Sequence, residues 1–173
     1  MSAASALPGD PIAEAHRHWV EHGWADAADG MAAITSIMRT QQIMLARIEA
    51  VLKPFGVTFA RYELLALLSF TRSGALPMKK ASARLQVHPT SVTNAVDRLE
   101  AARYVRRVAH PSDRRATLVE ITPAGRDIVA AATERLNADV FASPGLAPDD
   151  VRTLIGILTG FRRAAGDFAE PEA

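Results

Sequence analysis

Apolar side chains recur at helical spacing in the first third of the chain. Asp10 and Pro11 are typical of a helix start and Gly23 of a helix end, so we predict a short helix over residues 12–22. A long helix is predicted over residues 29–53, because an apolar side chain returns every three or four positions. This first file consists of Met31, Ile34, Met38, Gln41, Leu45, Ile48 and Leu52.

A second apolar file widens the apolar surface of the long helix. It consists of Ile37, Met44, Val51 and Phe55. We therefore expect this helix to pack on two sides. Gln41 interrupts the first file, and two roles stay open for it: it fixes the register of a helix pair, or it faces solvent.

Shorter elements follow in the middle of the chain. Thr58 is placed to cap a buried helix that ends near residues 72–74. Residues 79–85 fit a two-turn helix, and Pro89 opens another helix that extends to about Arg103. Two helices joined by three residues predict a helix-turn-helix.

The pattern then changes from helical to strand-like. Val105–Ala109 and Thr117–Ile121 are rich in β-formers and flank the charged, turn-like sequence HPSDRRA. We predict a β-hairpin, which forms a wing when it follows a helix-turn-helix. Thr122 and Pro123 are placed to cap a helix that extends to about Ala142, and a final amphipathic helix follows. Its apolar residues are Val151, Leu154, Ile155, Leu158 and Phe161.

These elements predict a mainly α fold with a small β-hairpin wing: a winged helix-turn-helix with N- and C-terminal dimerisation helices. Within one compact domain we distinguish three parts. Residues 1–55 hold an N-terminal extension and a dimerisation helix, residues 56–122 the winged-helix DNA-binding region, and residues 123–173 the C-terminal dimerisation helices. The terminal helices have wide apolar faces without a partner in the winged helix, so we expect a homodimer.

Composition narrows the class of protein. The 173 residues are 49% hydrophobic and 23% charged, as in globular proteins. The absence of cysteine excludes disulfides, Cys-ligated metal sites and thiol chemistry. No apolar stretch is long enough to span a bilayer, so we expect a cytoplasmic protein without membrane contact. Enzyme motifs such as G-x-S-x-G are missing, so we predict no catalytic activity and assign no cofactor.

Positive charge is concentrated between Lys79 and Arg115, although the formal net charge of the chain is only +1. This segment holds nine basic and three acidic residues, a local excess of six positive charges. Such an excess is typical of a phosphate-binding surface. The other interpretation is an ordinary solvated basic face.

The second helix of the helix-turn-helix has two different faces. One face is apolar and consists of Val92, Ala95, Val96 and Leu99. The other carries short hydrogen-bonding side chains, as a helix in the major groove requires. Its members and their neighbours are Thr90, Ser91, Thr93, Asn94, Asp97, Arg98 and Ala101. Asn94 can pair with adenine, and Thr90 and Ser91 can donate to phosphates or base edges. The alternative is a plain solvent-exposed helix.

Further candidate DNA contacts lie around this helix. Lys79 and His88 stand near the starts of the two helices. At the wing tip, Arg114 and Arg115 can reach the narrow minor groove, whose negative potential attracts guanidinium groups. Asp113 can orient one of these arginines through a bidentate pair. Because arginines are common in turns, this interpretation depends on the neighbouring helix-turn-helix.

Two segments of the chain resemble the MarR family of bacterial transcriptional regulators. One is the helix-turn-helix with the sequence LQVHPTSVTNAVDRL and the residues that follow it to Arg106. The other is DRR at 113–115, followed after five residues by ITPAG, which is similar to the family's D-x-R and L-T pattern. The resemblance covers about residues 30–168. The chain departs from the family at His88, where a Ser cap is usual, and at Asn94, where a basic residue is common.

The resemblance implies a homodimer whose two recognition helices read half-sites of a pseudo-palindromic operator in double-stranded DNA, with a small ligand changing their spacing. The family's usual ligand cleft lies between the dimerisation helices and the winged helix. The candidate ligand residues are then Met38, Arg39, Gln42, Arg61, Tyr62 and Leu65. Arg39 or Arg61 is placed to anchor a carboxylate. The alternative is that both arginines are surface residues and that Tyr62 belongs to the core.

The helix before residue 30 resembles the extra N-terminal helix of the urate-responsive branch of the family. That resemblance implies ligand-site roles for Trp19 or Trp24 and for Glu63, while Ala95 stands where the branch has an arginine. The same helix carries His16, His18 and His22. We favour interface or surface roles for these histidines over a metal site, because the chain lacks an H-E-x-x-H pattern. We assign no metal.

The sequence thus predicts a ligand-responsive, DNA-binding transcriptional regulator. We expect a repressor that a small aromatic or carboxylate ligand releases from its operator. The alternative function is a winged-helix protein-interaction module that does not bind DNA.

Overall fold

The computed structural model describes residues 7–113 and 116–169. Their helices are α1 (Pro11–Glu21), α2 (Ala25–Leu52), α3 (Phe59–Ser69), α4 (Met78–Leu85), α5 (Pro89–Ala101), α6 (Pro123–Leu136) and α7 (Pro148–Ala164). The strands are β1 (Ala75–Pro77), β2 (Val105–Ala109) and β3 (Thr117–Ile121). The predicted mainly helical fold with a winged helix-turn-helix is confirmed.

The described chain forms two compact units. The first extends to Ala132 and contains α1 to α5, the sheet and most of α6; the second begins at Thr133 and contains α7. The division into three parts at residues 55 and 122 stays a prediction. None of the described helices combines the length and the apolar character needed to cross a bilayer.

α1 forms where the sequence predicts it and packs on α2. The Ile12 amide donates a hydrogen bond to Asp10 Oδ1 at 2.9 Å, and Gly23 follows the helix with a φ of +84°. α2 begins at Ala25, earlier than predicted, because the Trp24 carbonyl already accepts from the Ala27 amide at 3.0 Å.

α3 supplies much of the core of the first unit, since Leu64, Leu65 and Leu68 are fully buried. It ends at Ser69, before the predicted residues 72–74. The predicted cap is wrong, because the Thr58 side chain makes no capping hydrogen bond. Instead Glu49 of α2 accepts from the Phe59 amide at 2.8 Å. A carboxylate on another helix therefore satisfies one of the free amides at the start of α3.

The wing strands have the predicted bounds, but the sheet has a third strand that the sequence analysis missed. The strand order is β1-β3-β2, with both pairs antiparallel. β1 is only three residues long and ends in Pro77, so its sequence lacks the alternation that marks a strand. Its central residue, Leu76, is buried opposite Val119 of β3. The predicted hairpin is therefore part of a small three-stranded sheet.

The C-terminal helices also differ in detail from the prediction. The helix predicted to extend to about Ala142 is α6 followed by a π-helical turn at Asn137–Phe141. Ile155, Ile157 and Phe161 of α7 are exposed.

The start of α6 is joined to the turn that follows α5. The Thr122 hydroxyl lies 2.8 Å from the Arg103 carbonyl, to which it donates, and it accepts from the Gly125 amide at 3.0 Å. Gly125 allows this close approach, because a Cβ atom there would lie 2.1 Å from the Tyr104 carbonyl oxygen. Arg103 itself has a φ of +62°. Thr122 and Gly125 are therefore required by the local geometry at the start of α6.

We expect Gly125→Ala to destabilise the protein strongly, because the added methyl group would overlap backbone atoms that cannot move aside cheaply. The loss of unfolding free energy is expected to be about 3 kcal/mol or more, measured by denaturant titration. Gly30→Ala on α2 is the matched control, since its Cβ meets no atom within 4 Å. A Gly125→Ala variant as stable as Gly30→Ala would contradict the steric role of this glycine.

Candidate nucleic-acid interface

α4 and α5 form the helix-turn-helix, and local hydrogen bonds fix the turn between them. The Ser82 hydroxyl donates to the Val87 carbonyl at 2.6 Å, and Gln86 adopts a left-handed conformation with a φ of +54°. His88 caps α5, since its Nδ1 accepts from the Thr90 amide at 3.2 Å. An imidazole nitrogen thus performs the capping role that Ser, Thr, Asp or Asn commonly has at the start of a helix.

The two faces of α5 are as predicted, except that Ala95 of the apolar face is only half-buried. Val92, Val96 and Leu99 are at most 2% exposed and hold the helix against its neighbours. The opposite surface is open: Thr90, Ser91, Thr93, Asn94 and Arg98 are all exposed. The Thr93 hydroxyl donates to the Pro89 carbonyl at 3.1 Å. This bond leaves the oxygen lone pairs and the methyl group of Thr93 for contacts outside the molecule.

The remaining predicted DNA contacts surround this surface. Lys79 is exposed near the start of α4 and lines a groove together with Asp113 and Thr117 of the wing. The start of α4, which is the first helix of the helix-turn-helix, and the wing tip are therefore neighbours. Arg114 and Arg115 lie outside the described residues.

Two arginines of the predicted positive segment are engaged in ion pairs. Arg107 donates through its guanidinium to Asp97 and to Glu100 on α5, and its amide donates to Glu100 Oε1 at 2.9 Å. The hydrogen bond to Asp97, followed by that to Glu100, raises the pKa of the Arg107 guanidinium. We call Arg107, Asp97 and Glu100 the wing clamp, because they join β2 to α5.

The second ion pair lies within the sheet. Arg106 Nε donates to Glu120 Oε2 at 2.8 Å across the β2–β3 pair. This hydrogen bond raises the pKa of Arg106 and lowers that of Glu120. Part of the local excess of positive charge, on Arg106 and Arg107, is thus neutralised by ion pairs within the molecule. Asp97, exposed on α5, does not present a free negative charge to a polyanion, because Arg107 pairs with it.

The predicted ligand residues do not meet in one cleft of the described chain. Arg61 lies in a groove of about 610 Å³ between the start of α3 and α5, which we call the α5 groove. Met38, Arg39 and Gln42 line a different groove, which α1 also borders. Tyr62 and Leu65 are buried in the core, as the alternative interpretation of Tyr62 held.

The three candidate residues attributed to the urate-responsive branch lie elsewhere again. Trp19 packs edge-on against Trp24, with ring centroids 5.4 Å apart, and Trp24 also contacts the His22 ring. Glu63 is exposed on α3, and partial desolvation raises the pKa of its carboxyl. None of these three residues lines the α5 groove or the groove beside α1.

The histidines of α1 make local polar contacts. His16 Nε2 lies 2.8 Å from Asp29 Oδ1 of α2, and His18 Nδ1 lies 3.2 Å from Glu21 Oε2. Within residues 7–113 and 116–169, no three His, Cys, Asp or Glu side chains are grouped as a metal site would require.

The sequence analysis missed the wing clamp and the lining of the α5 groove. Asp97 and Glu100 are three positions apart on a helix and therefore neighbours, which is a visible signal. That Arg107 reaches both of them depends on the path of the chain after α5. Thr58 and Ala60 line the α5 groove only because α3 packs on α5.

Removal of the wing clamp is expected to destabilise the first unit. We expect Arg107→Gln to lower the thermal midpoint by a few degrees, because it leaves Asp97 and Glu100 without their partner and frees β2 from α5. Arg106→Gln is the matched control on the same strand, since Arg106 is more exposed and has one partner. Differential scanning calorimetry of the two variants tests this, and equal shifts would show that the clamp adds nothing.

Residues 55–116 match the model of the MarR family. The structure of Sco5413, a MarR family transcriptional regulator from Streptomyces coelicolor, is similar with a TM-score of 0.75 and 50% identity; the match covers 82% of this chain and 99% of that one. The chain spans about half the length of two curated relatives, 52% of YhbI from Bacillus subtilis and 43% of PapX from Escherichia coli, both HTH-type transcriptional regulators and both 32% identical.

Two more distant structures carry bound molecules. Sco3205, a MarR family regulator from Streptomyces coelicolor in complex with DNA, shares the fold with a TM-score of 0.70 at 22% identity, covering 84% of this chain and 91% of that one. CouR from Rhodococcus jostii RHA1, bound to p-coumaroyl-CoA, has a TM-score of 0.64 at 25% identity, covering 78% and 92%. The match to Sco5413 over nearly all of its length, together with the helix-turn-helix and wing, shows that this chain belongs to the MarR family of transcriptional regulators.

Proposed function

We propose that this protein is a homodimeric repressor that binds a pseudo-palindromic DNA operator and is released by a small aromatic or carboxylate effector. The observation that carries the proposal is the exposed surface of α5, where short polar side chains stand opposite a fully buried apolar face. The family consists of regulators and not of enzymes, so we assign no catalytic residue. We place its action in the cytoplasm, where bacterial DNA is found.

In this proposal α5 lies in the major groove. Asn94 contacts an adenine edge, while Thr90, Ser91 and Thr93 contact bases or phosphates. Lys79, His88 and Arg98 contact the DNA backbone, and the wing tip with Asp113, Arg114 and Arg115 enters the minor groove. The wing clamp supports this arrangement, because it fixes the wing relative to α5 and neutralises Asp97 on the surface that faces DNA.

The proposed dimer uses the terminal helices. On α2, Ile34 and Ile37 are more than half exposed, although they belong to the two apolar files. On α7, Ile157 and Phe161 are exposed to a similar extent. Apolar surfaces of this kind are typical of subunit interfaces. We also propose that α1 corresponds to the extra N-terminal helix of the urate-responsive branch of the family. We do not propose urate as the ligand.

The DNA-binding proposal predicts a specific effect of Asn94→Ala. On duplexes selected from the genome of the producing organism, the affinity for the preferred site should fall by a factor of about 5 to 150, because one base contact is worth about 1–3 kcal/mol. Binding to non-specific duplexes should stay unchanged. Fluorescence anisotropy at several salt concentrations measures both affinities and the salt slope, which should be steep.

The matched control is Asn137→Ala, since Asn94 and Asn137 are the only asparagines of the chain and Asn137 lies outside the helix-turn-helix and wing. It should bind like the wild type. A protein that is monomeric in sedimentation experiments and ignores every duplex at low salt would instead support the protein-interaction module.

The α5 groove is the proposed effector site. Arg61 and Arg98 line it, and no ion pair within the described chain engages either guanidinium. Ser91, Asn94 and Arg98 are also candidate DNA contacts. An anion bound between the two arginines would therefore occupy surface that the operator needs, so effector and DNA exclude each other.

We expect benzoate, used as a probe, to release the protein from its operator, and the uncharged benzyl alcohol to do so much less. Arg61→Gln should reduce the difference, because Arg61 supplies one of the two positive charges of the groove and, unlike Arg98, is not among the DNA contacts. Arg39→Gln, which removes an arginine of α2 outside the α5 groove, should respond like the wild type. Release that does not depend on Arg61 would place the effector elsewhere.

A further inference from the structure

A further groove lies at the end of α3, and we call it the β1 groove. Its volume is about 610 Å³, and it lies wholly within the first unit. The end of α3, the turn that follows, β1 and the end of α4 supply its lining. None of the described residues that line it belongs to α2, α5 or α7 or to the proposed DNA contacts. The β1 groove is therefore separate from the surfaces assigned to the dimer and to the operator.

Phe70 is the main apolar feature of the β1 groove. With 83% of its surface exposed, it is the most exposed large apolar side chain of the described residues. Its amide donates to the Ala66 carbonyl at 3.1 Å and closes α3. The Thr71 hydroxyl donates to the Leu68 carbonyl at 2.7 Å and fixes the turn behind it. Because the backbone is held in place, little ordering of the chain is needed when a partner covers the ring.

Two arginines border the same groove. Arg72 lies in the turn after α3 and Arg84 in the last turn of α4, and both are exposed. Among residues 7–113 and 116–169, no carboxylate forms an ion pair with either guanidinium. Aromatic and arginine side chains contribute most of the binding energy at protein interfaces. The β1 groove is therefore complementary to an apolar side chain with carboxylates beside it.

The free edge of β1 is closed to the addition of another strand. The Ile121 amide donates to the Gly74 carbonyl, so Gly74 faces β3 and Ala75 faces away from it. The Ser73 hydroxyl accepts from the Ala75 amide at 3.3 Å and donates to the Ala75 carbonyl at 3.2 Å. Pro77, the next residue that faces away, has no amide hydrogen. A partner would therefore bind through side chains and would not extend the sheet.

We propose that the β1 groove is a docking site for an acidic segment of another protein. An apolar side chain of the segment packs against Phe70, and its carboxylates pair with Arg72 and Arg84, since a guanidinium binds a carboxylate through two parallel hydrogen bonds. Nucleic acid would match the two charges but not the exposed ring. Because the groove shares no residue with the proposed DNA surface, the protein could hold this partner and a DNA duplex at the same time.

The probe is a phage-displayed library of random peptides, selected on the full-length protein with excess duplex DNA present to occupy the other basic surface. Selected peptides should carry Asp or Glu beside a Leu, Phe or Trp. Fluorescence anisotropy with synthetic copies should show that Phe70→Ala weakens binding about tenfold or more. The double variant Arg72→Gln, Arg84→Gln should weaken it to a similar extent, and the affinity of the wild type should fall as salt is added.

Two matched controls remove side chains of the same types elsewhere. Phe141→Ala and Arg17→Gln each change an exposed residue outside the β1 groove, so both should bind the peptides like the wild type. The groove variants should keep the thermal midpoint and the sedimentation coefficient of the wild type, because their side chains are exposed. A purely structural role of Phe70 would instead lower the thermal midpoint.

Several results would overturn the proposal. These are a library that selects no peptide, peptides that are basic or lack an apolar residue, and binding that survives Phe70→Ala. A changed oligomeric state of Phe70→Ala would show that a second copy of the chain covers the groove. Tighter peptide binding by the double variant Glu170→Gln, Glu172→Gln would show that the acidic C-terminal end of the chain itself occupies it. None of these outcomes depends on whether the protein is a repressor.

Discussion

The burial of one side of α5 is the constraint on which the rest of the interface depends. A helix of this length is only marginally stable alone, and its outer surface is rich in Thr, Ser and Asn, which are mediocre helix formers. This low intrinsic stability is compensated by the burial of Val92, Val96 and Leu99, since each buried aliphatic side chain contributes about 1.5–3 kcal/mol to the stability of the fold. Because three inward residues hold the helix, the outward residues are free to serve recognition instead of folding.

Two sets of hydrogen bonds fix the wing and the start of α6 relative to α5. The wing clamp joins β2 to the helix, and the Thr122 hydroxyl joins the turn after the helix to the start of α6. Both act on the backbone as well as on side chains, since Glu100 accepts from the Arg107 amide and Thr122 bonds to carbonyls. The recognition helix, the wing and the following helix are therefore coupled by hydrogen bonds as well as by packing.

The parts of this structure that could be predicted from sequence are those set by local periodicity and caps. The two faces of α5, the turn before it and both wing strands follow from neighbouring residues and are found where predicted. What could not be predicted depends on contacts between distant segments. Leu76 becomes a strand residue only because β1 pairs with the free edge of β3, where Leu76 lies opposite Val119. Likewise, the residue that caps α3 is Glu49, which belongs to another helix. The separation of Arg39 from Arg61 into two grooves likewise reflects how α1 and α5 border different parts of the first unit.

The α5 groove shares Ser91, Asn94 and Arg98 with the surface assigned to DNA. If one set of side chains serves both molecules, a substitution that retunes operator preference also alters which metabolites the regulator senses. Although Arg61 belongs to the groove alone, at Ser91, Asn94 and Arg98 the sensory input and the genetic output of such a protein cannot diverge independently. Descendants that acquire new target genes would then be expected to acquire altered chemical triggers in the same mutational step.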